Sequence, residues 1–349
     1  MNNKVLVALS GGVDSTAASC LLLEQGVSCA GAMMKLGPDN ADEDARTVAA
    51  ALGMPYHWFD FFEDFQREVI GRFVEAYQNG LTPNPCVECN RQFKFGRFLQ
   101  RALEMGFDAV ATGHYVRVEH GQDGARHLLK KGMDASKDQS YALYRLTQEQ
   151  LAHAVFPLGG LSKVQARALL TERGLSNASK KESQDICFVP DGDYAAFIRR
   201  HTGCDCPPGR FVGTDGQDLG EHRGLIHYTV GQRRGLGLPA ESRLYALELR
   251  PEDNTVVVGR EKELYKTEVM ARNINLISVA RLDEPMRVRA KLRYRHPEQP
   301  ATVWQLDEDL LRVVFDEPQR APAPGQAVVL YDGDVVVGGG TIDRWSRPS

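Results

Sequence analysis

The chain has 349 residues, 42% of them hydrophobic and 25% charged, which are ordinary proportions for a globular protein of two or three domains. Forty-two basic residues against 46 acidic ones give a formal net charge of −4, which excludes a histone-like protein but leaves room for a local basic surface. The sequence shows no secretion signal and no apolar run of the ~20 residues that span a membrane, so we expect a cytoplasmic protein with no membrane partner.

Up to about residue 175, short apolar runs alternate with helical patterns. The apolar runs predict buried strands, at residues 4–9, 27–34, 56–60 and 108–112. The segments between them predict helices, at residues 15–25, 40–52, 63–78 and 91–105. Such alternation is typical of a doubly wound parallel sheet, and we assign residues 1–136 to this α/β domain.

After about residue 205 the pattern changes to short strands and turns. Three pairs of strands flank turn residues, at 243–249 with 255–259, 301–306 with 310–315, and 327–331 with 335–338. This spacing favours small β-barrels, so residues 207–349 are predicted to form a β-barrel region. Residues 137–206 have a mostly helical pattern and form a small central domain. The predicted fold class is therefore α/β plus all-β.

The first predicted strand and helix are joined by the loop SGGVDS (10–15). Its two adjacent glycines let the backbone approach a ligand closely, and the following helix offers free N–H groups and the positive end of its dipole. The loop therefore suits a pyrophosphate group, although a plain strand-to-helix turn is the simpler alternative. It has neither the lysine of a Walker loop nor the spacing of a dinucleotide fingerprint.

SGGVDS after an N-terminal strand resembles the PP-loop of ATP pyrophosphatases. The resemblance implies that ATP is cleaved between its α- and β-phosphates while a carbonyl oxygen of the substrate is adenylated, with Mg²⁺ near Asp14. The residues that it assigns to ATP lie in and around the carboxyl ends of the strands, where such ligands bind: Ala8, Leu9, Ser10, Gly11, Gly12, Val13, Asp14, Ser15, Met34 and Gly113.

Two of the seven cysteines lie in a proline-bounded polar loop, TPNPCVECN (82–90). The second of them, Cys89, precedes a helix that is predicted to begin near Arg91. A helix N-terminus lowers the pKa of a thiol, and Arg91 and Lys94 add positive charge. We therefore expect Cys89 to form a nucleophilic thiolate.

The other cysteines fall in different surroundings. Cys187 stands alone in SQDICF (183–188), where an inert buried thiol is the alternative to a reactive one. Cys20 and Cys29 lie within a predicted helix and strand and are expected to be core residues. The pair in CDCPPG (204–209) has an unusual spacing for a zinc site shared with the loop cysteines, and exposed linker thiols are the alternative.

The motifs, taken in order, resemble those of the tRNA-specific 2-thiouridylase (MnmA) family. They are SGGVDS (10–15), TPNPCVECN (82–90), ATGHY (111–115), KDQSY (137–141), SQDICF (183–188), HYTVGQRRGLG (227–237) and GQAVVLYDG (325–333). The resemblance implies adenylation of the C2 oxygen of the wobble uridine, in the tRNA anticodon stem-loop, and its replacement by sulfur. Cys89 would be the nucleophile, and Cys187 would carry a persulfide received from a donor protein. A Cys89–Cys187 disulfide would form afterwards and need reduction.

The same resemblance assigns residues to the tRNA. The target base would be held by Asn84, Pro85 and Cys86. Further contacts would come from His114, Lys137, Asp138, Gln139, Arg293, Tyr294 and Gln326.

Cys86 stands where many members of the family carry aspartate, a candidate acid or base. A thiol cannot replace a carboxylate in every role, so the proton-transfer assignment stays open. The exchange also allows a second chemistry, in which Cys86, Cys89 and Cys187 ligate a [4Fe–4S] cluster whose fourth iron binds sulfide. Both the persulfide and the cluster remain open at this point.

Residues 287–295 read RVRAKLRYR, in which basic and apolar residues alternate. On a strand this pattern places five basic side chains on one face, spaced ~6.6 Å apart and near the phosphate repeat of a nucleic acid. We expect this face to bind RNA, and a solvated strand face is the alternative.

The sequence thus predicts an ATP-dependent tRNA sulfurtransferase. One rival is a PP-loop ligase that acts on a small molecule, which leaves the cysteines and the basic segment unexplained. Another is a non-catalytic tRNA-binding or iron–sulfur sensor protein, which leaves SGGVDS unexplained.

Overall fold

The computed structural model describes residues 4–38, 42–180, 186–203, 206–238 and 243–344. In its first part the strands are β1 (Lys4–Ala8), β2 (Ser28–Lys35), β3 (Tyr56–Asp60), β4 (Ala109–Ala111), β5 (Val116–Glu119), β6 (Leu128–Lys131) and β7 (Ala154–Val155). The helices are α1 (Val13–Glu24), α2 (Glu43–Ala51), α3 (Phe62–Phe65), α4 (Gly71–Gln78), α5 (Pro85–Glu88) and α6 (Phe98–Glu104). Two π-helical segments join α3 to α4 and α5 to α6, at Gln66–Ile70 and Cys89–Arg97.

Five of these strands form a parallel sheet in the order β3-β2-β1-β4-β7. The central strand β1 is apolar on both faces, and its Val5, Leu6 and Val7 are at most 3% exposed. Because all pairings are parallel, the loops after β1, β2 and β4 meet at one edge of the sheet. The predicted parallel sheet is confirmed, and this edge carries the candidate site.

Short helices follow the sheet. They are α7 (Ser140–Leu143), α8 (Gln148–Ala152), α9 (Lys163–Glu172) and α10 (Tyr194–Thr202), with 3₁₀ turns at Pro157–Gly160 and Ser176–Ser179. A small sheet comes next, in the order β10-β11-β8-β9, formed by β8 (Gly209–Gly213), β9 (Asp218–His222), β10 (Tyr245–Arg250) and β11 (Thr255–Gly259).

The last six strands close into an antiparallel barrel. They are β12 (Tyr265–Leu276), β13 (Met286–Lys291), β14 (Gln299–Asp307), β15 (Leu310–Arg320), β16 (Ala327–Asp332) and β17 (Val335–Ile342). The ring runs β12-β15-β14-β13-β16-β17 and closes because β17 also pairs with β12. Apolar residues from successive strands, such as Val269, Val303 and Val328, fill its interior. The predicted β-barrel region is confirmed.

The hairpin of β5 and β6 attaches the first part of the chain to the barrel. Val335 of β17 pairs with Lys130 of β6, so the hairpin extends the barrel sheet by two strands. One apolar cluster contains Leu6 of the parallel sheet together with Val329 and Val336 of the barrel. The two parts therefore share a core.

Two predicted element boundaries are wrong. The helix expected to begin near Arg91 begins at Pro85, and it runs through the π-helical segment to Glu104. The strand expected over 287–295 ends at Lys291, and the chain then turns. Both differences change the interpretation of site residues.

Within the part of the chain that the structure describes, no helix has both the length and the apolar character needed to cross a bilayer.

Candidate active site

The loop SGGVDS (10–15) leads from β1 into α1. Gly11 has a φ of +72°, and a Cβ there would lie 2.5 Å from Asp44 Cβ, so only glycine fits. Gly12 occupies the N-cap position and no side chain caps the helix. The first N–H groups of α1 are therefore available to an anion, and the helix dipole favours one.

Residues distant in sequence support this loop. Asp14 Oδ1 accepts hydrogen bonds from Tyr115 Oη at 2.8 Å and from Lys163 Nζ at 2.6 Å. Asn177 donates from Nδ2 to Gly11 O at 3.2 Å and to Thr16 Oγ1 at 2.6 Å. Lys163 and Asn177 are 8% and 4% exposed, and sequence reasoning missed both. The available signal for Lys163 is its place at the first position of α9, where the helix dipole disfavours a cation unless an anion lies nearby.

The other residues assigned to ATP flank the loop. Gly113 follows β4, and a Cβ there would lie 2.7 Å from Asp14 Cβ, so glycine lets the two loops touch. Met34 lies near the carboxyl end of β2 and is half-buried. Ala8 is the last residue of β1 and Leu9 follows it. The Leu9 side chain packs into the core with Ala45 and Val48 of α2.

His114 lies between the residues assigned to ATP and the helix Pro85–Glu104, which carries Cys86 and Cys89 and which we call the cysteine helix. It is 8% exposed, and its Nδ1 lies 2.7 Å from Thr112 Oγ1. Burial holds the pKa of His114 well below its usual value, and the charge of Lys94 lowers that pKa further. The ring is therefore a neutral imidazole at pH 7.

The loop expected to hold the target base forms the start of the cysteine helix. Asn84 is the N-cap of α5, its Oδ1 accepting from the Cys86 N–H at 3.2 Å, and Pro85 takes the first helical position. The barrel fixes the residues just before it. Gln326 Nε2 donates to Thr82 O at 2.7 Å, and the Thr82 N–H donates to Pro324 O at 2.8 Å.

Cys89 does not have the environment that its sequence context predicts. It lies inside the helix and packs in an apolar cluster with Phe65 and Phe93. Burial raises the pKa of the Cys89 thiol to about 12, and the charge of Lys94 opposes the rise only in part. The expected thiolate at a helix N-terminus is wrong for this state of the protein, because Cys89 is neither at a helix start nor exposed.

Cys187 lies close to the two cysteines of the helix. Its neighbours Ile186 and Phe188 pack against the cluster that contains Cys89, with the Phe188 ring 5.9 Å from that of Phe65. Cys86 raises the pKa of Cys187, and Cys187 raises that of Cys89, so the three thiols are within electrostatic reach of one another.

Cys86 and Cys187 are exposed residues, yet desolvation by the surrounding protein is the first cause of their raised pKa values. Protein atoms therefore surround both thiols although the residues reach solvent, and we call the space bordered by Cys86, Cys89 and Cys187 the recess. All three thiols are free.

The iron–sulfur alternative stays a prediction. Among the described residues, which include Cys86, Cys89 and Cys187, no group of three or more histidine, cysteine, aspartate or glutamate side chains is placed to hold a metal ion. Cys204 of the zinc hypothesis lies outside the described residues. Cys20 and Cys29 pack in apolar clusters, as expected of core residues.

The residues of KDQSY (137–141) lie beside the cysteine helix and contact the chain around them. Asp138 Oδ1 accepts from the Gly132 N–H at 3.0 Å, and Gln139 Oε1 accepts from the Tyr115 N–H at 3.0 Å. Lys137 is half-buried at the surface. Tyr294 comes from the barrel side, and its pKa is raised by burial and then by the nearby charges of Asp138 and Cys86. Tyr294 thus lies near the same recess.

The basic segment does not form one continuous basic face. Arg287 forms a bidentate ion pair with Asp316 at 2.8 Å, and Arg289 lies 3.8 Å from Glu298. Arg293 lies beyond the end of β13 and donates inward to the carbonyls of Val230 and Ala321, so it does not share the strand face as expected. Acids from other segments of the barrel region, which the local sequence pattern does not show, neutralise part of this surface.

Comparison with known proteins agrees with this architecture. Residues 3–191 match the family model described as tRNA methyl transferase HUP domain, residues 195–260 the tRNA methyl transferase PRC-barrel domain, and residues 266–342 the aminomethyltransferase beta-barrel domain.

Curated relatives match over nearly their whole length. A tRNA-specific 2-thiouridylase MnmA of Acetivibrio thermocellus is 49% identical over 97% of this chain and 99% of the relative. Proteins of the same name from Clostridioides difficile and, as MnmA 1, from Caldanaerobacter subterraneus subsp. tengcongensis are 44% and 47% identical over 99% of this chain. Although the first family model is described by methyl transfer, these relatives are named for thiolation. The chain belongs to the tRNA-specific 2-thiouridylase family.

Proposed function

We propose that this protein is an ATP-dependent tRNA sulfurtransferase, which replaces the C2 oxygen of the wobble uridine by sulfur carried as a persulfide on Cys187. The observation that carries the proposal is a series of close approaches and electrostatic interactions that links the PP-loop to the cysteines. Asp14 of the PP-loop abuts Gly113, His114 follows Gly113, and Lys94 acts electrostatically on both His114 and the thiols of Cys89 and Cys187. This proximity supports a site in which ATP on the PP-loop and sulfur on the cysteines act on the same base.

In the activation step, the N–H groups at the start of α1 bind the pyrophosphate part of ATP. Lys163 and Tyr115 orient Asp14, and only its Oδ1 takes part in their hydrogen bonds. A Mg²⁺ ion bound by Asp14 and the phosphates would neutralise charge on the leaving pyrophosphate. The C2 oxygen of uridine attacks the α-phosphorus, pyrophosphate leaves, N3 loses its proton to solvent, and the base becomes adenylated at that oxygen.

In the transfer step, the terminal sulfur of the Cys187 persulfide attacks C2 and displaces AMP. The Cys89 thiolate then attacks the inner sulfur, Cys187 Sγ. The bond between Cys187 Sγ and the sulfur attached to C2 breaks, and its electron pair stays on the sulfur attached to C2. N3 of the base then takes up a proton. A Cys89–Cys187 disulfide remains, and a thiol reductant, as the reducing cytosol provides, restores both thiols.

The three-cysteine recess supports the persulfide form of this reaction. Cys187 is exposed and able to meet a donor protein, whereas Cys89 is buried beside it and protected from other electrophiles. Because Cys89 is protonated in this state, it must be deprotonated or uncovered when substrate binds. We propose the recess near Tyr294 and Cys86 as the position of the target base, with Asn84 and Pro85 shaping its wall.

The test is a reaction of the protein with unmodified tRNA, ATP and a protein persulfide donor, followed by mass spectrometry of the wobble nucleoside. We expect 2-thiouridine with the wild-type protein, and at least a hundredfold less with Cys89→Ser or Cys187→Ser. Cys29→Ser, which changes a half-buried core thiol outside the recess, is the matched control and should retain activity. Full thiolation by Cys187→Ser would overturn the role of Cys187.

A parallel anaerobic purification with iron and sulfide analysis separates the persulfide from the cluster. The proposal predicts an active protein without iron. Activity that rises in proportion to bound iron would contradict it.

A further inference from the structure

Lys94 is a half-buried cation in the π-helical segment Cys89–Arg97. The basic side chains beside it are neutralised: Arg91 lies 3.7 Å from Glu88, and Arg97 lies 3.0 Å from Asp64 and 2.7 Å from Glu68. No carboxylate within the described ranges lies within ion-pair distance of Lys94. A half-buried cation that has no carboxylate partner among the described residues favours the approach of an anion.

The helix geometry directs Lys94 toward the thiols. In a π-helix the hydrogen-bonded turn closes between residues five apart, so Lys94 stands one turn after Cys89. An ordinary α-helix closes its turn after four residues and would rotate Lys94 away from Cys89. Gly96 fits this wide turn, since a Cβ there would lie 3.0 Å from Arg91 O.

Titratable groups from several elements surround Lys94. Cys86 and Cys89 lie on its own helix, Cys187 comes from the segment after residue 185, and His114 comes from the loop after β4. The charge of Lys94 lowers the pKa of each of these four groups. It opposes the effect of burial at the three thiols and adds to it at His114. Tyr294 and Asp138 face Cys86 from the other side of the recess.

We infer that Lys94 is the positioning cation of the recess, whose ammonium group holds the anionic sulfur as it passes from Cys187 to the activated uridine. The inference rests on the proposed sulfur transfer and names a residue that supports it. Burial disfavours every thiolate in the recess. Lys94 supplies the opposite charge there, and because no carboxylate of the described residues pairs with it, that charge is available to sulfur.

The test measures the thiols directly and needs neither tRNA nor ATP. Rates of alkylation of Cys86 and Cys187 by iodoacetamide are measured from pH 6 to pH 10 by peptide mass spectrometry. We expect Lys94→Met and Lys94→Gln to shift both profiles to higher pH and to slow alkylation at pH 7.5 about tenfold, the effect of one pKa unit. Lys94→Arg keeps the charge and should stay within about twofold of the wild-type protein.

Lys262→Met, which removes an exposed lysine of the barrel region, is the matched control and should leave both profiles unchanged. Two neutral replacements are used so that poor folding of one, seen by circular dichroism, does not decide the result. Profiles of Lys94→Met or Lys94→Gln that superimpose on the wild-type profile would overturn the inference. Failure of the wild-type protein to make 2-thiouridine would instead overturn the proposed function, and the alkylation result would stand by itself.

Discussion

At the scale of single residues, burial decides the chemistry of the cysteines more than local charge does. Around Cys89 the sequence shows two basic residues and a nearby helix, which together favour a thiolate. The folded chain adds Phe65 and Phe188 from separate segments to Phe93 of the same helix, and the three rings remove water from the thiol. Desolvation then outweighs the nearby cation, and the thiol stays protonated.

This difference predicts an order of thiol reactivity. At pH 8 the exposed Cys86 and Cys187 should be alkylated at least tenfold faster than Cys89. The pKa of Cys89 is raised to about 12, so its thiolate fraction at pH 8 is very small and increases with each unit of pH up to that value. Time-resolved peptide mass spectrometry gives the three rates, and a Cys89 that reacts as fast as Cys187 would refute the buried state.

A second prediction concerns Lys163. Lys163→Met removes the cation that holds Asp14 Oδ1 at 2.6 Å, a charged hydrogen bond of about 1.5–3 kcal/mol. We expect kcat/KM for ATP, measured by pyrophosphate release, to fall about 10- to 100-fold. Lys163→Arg should lose much less because it keeps the charge. Equal rates for Lys163→Met and the wild-type protein would show that Asp14 does not need Lys163.

At the scale of elements, the cysteine helix is held in place from the barrel. Gln326 and Pro324 precede β16, and both bind the backbone of Thr82. Gly325 lies between them with a φ of +89°, and a Cβ there would lie 2.9 Å from the Thr82 nitrogen. The barrel strand therefore sets where the helix with Cys86 and Cys89 begins.

This attachment predicts the effect of Gln326→Ala in the protein without tRNA. Loss of the bond to Thr82 O should increase amide hydrogen exchange in the peptide 82–90 several-fold, as expected when a local anchor is removed. Gln319→Ala, which loses a hydrogen bond at the far end of β15, is the control. Unchanged exchange would contradict the anchoring role of Gln326.

Some elements are predictable from sequence because their signals are local. The hairpin of β16 and β17 turns at Gly333 and Asp334, where a glycine with a φ of +58° favours the turn. Val5 to Val7 mark a strand buried on both faces. The predicted strand over 287–295 is too long because the alternation of basic and apolar residues continues to Arg295, beyond the end of β13. The acceptors that turn Arg293 inward, Val230 and Ala321, come from distant segments, and no local pattern reports them.

The same limit applies to the site. The loop SGGVDS is visible in the sequence because its glycines are a local requirement. Lys163 lies 149 residues from the Asp14 that it binds, and Asn177 lies 166 residues from Gly11. Such partners are defined by tertiary contacts alone.

At the scale of the whole molecule, the parallel sheet and the barrel are joined by the β5–β6 hairpin and a shared apolar core. Arg126 of this hairpin donates to the carbonyls of Leu276 and Ile277 on the barrel, at 3.0 and 2.7 Å. The site draws residues from both parts, so their relative position determines its geometry.

This joint core predicts cooperative unfolding. Calorimetry should show one endotherm, and Arg126→Ala should shift all of it downward by a few degrees, since the lost bonds amount to about 2 kcal/mol. Arg281→Ala, which removes an exposed side chain paired only with Asp283 among the described residues, should shift it by less than one degree or so. Two separate endotherms would contradict a shared core.

The central claim is that the sulfur delivered to uridine is the persulfide sulfur of Cys187, released by Cys89. The most direct measurement loads Cys187 with a ³⁴S persulfide, removes the donor, and follows a single turnover with tRNA and ATP by mass spectrometry. The account predicts ³⁴S in the wobble nucleoside up to one equivalent per loaded protein, together with an equal amount of Cys89–Cys187 disulfide. Thiolated tRNA without the label, or labelled tRNA without that disulfide, would contradict it.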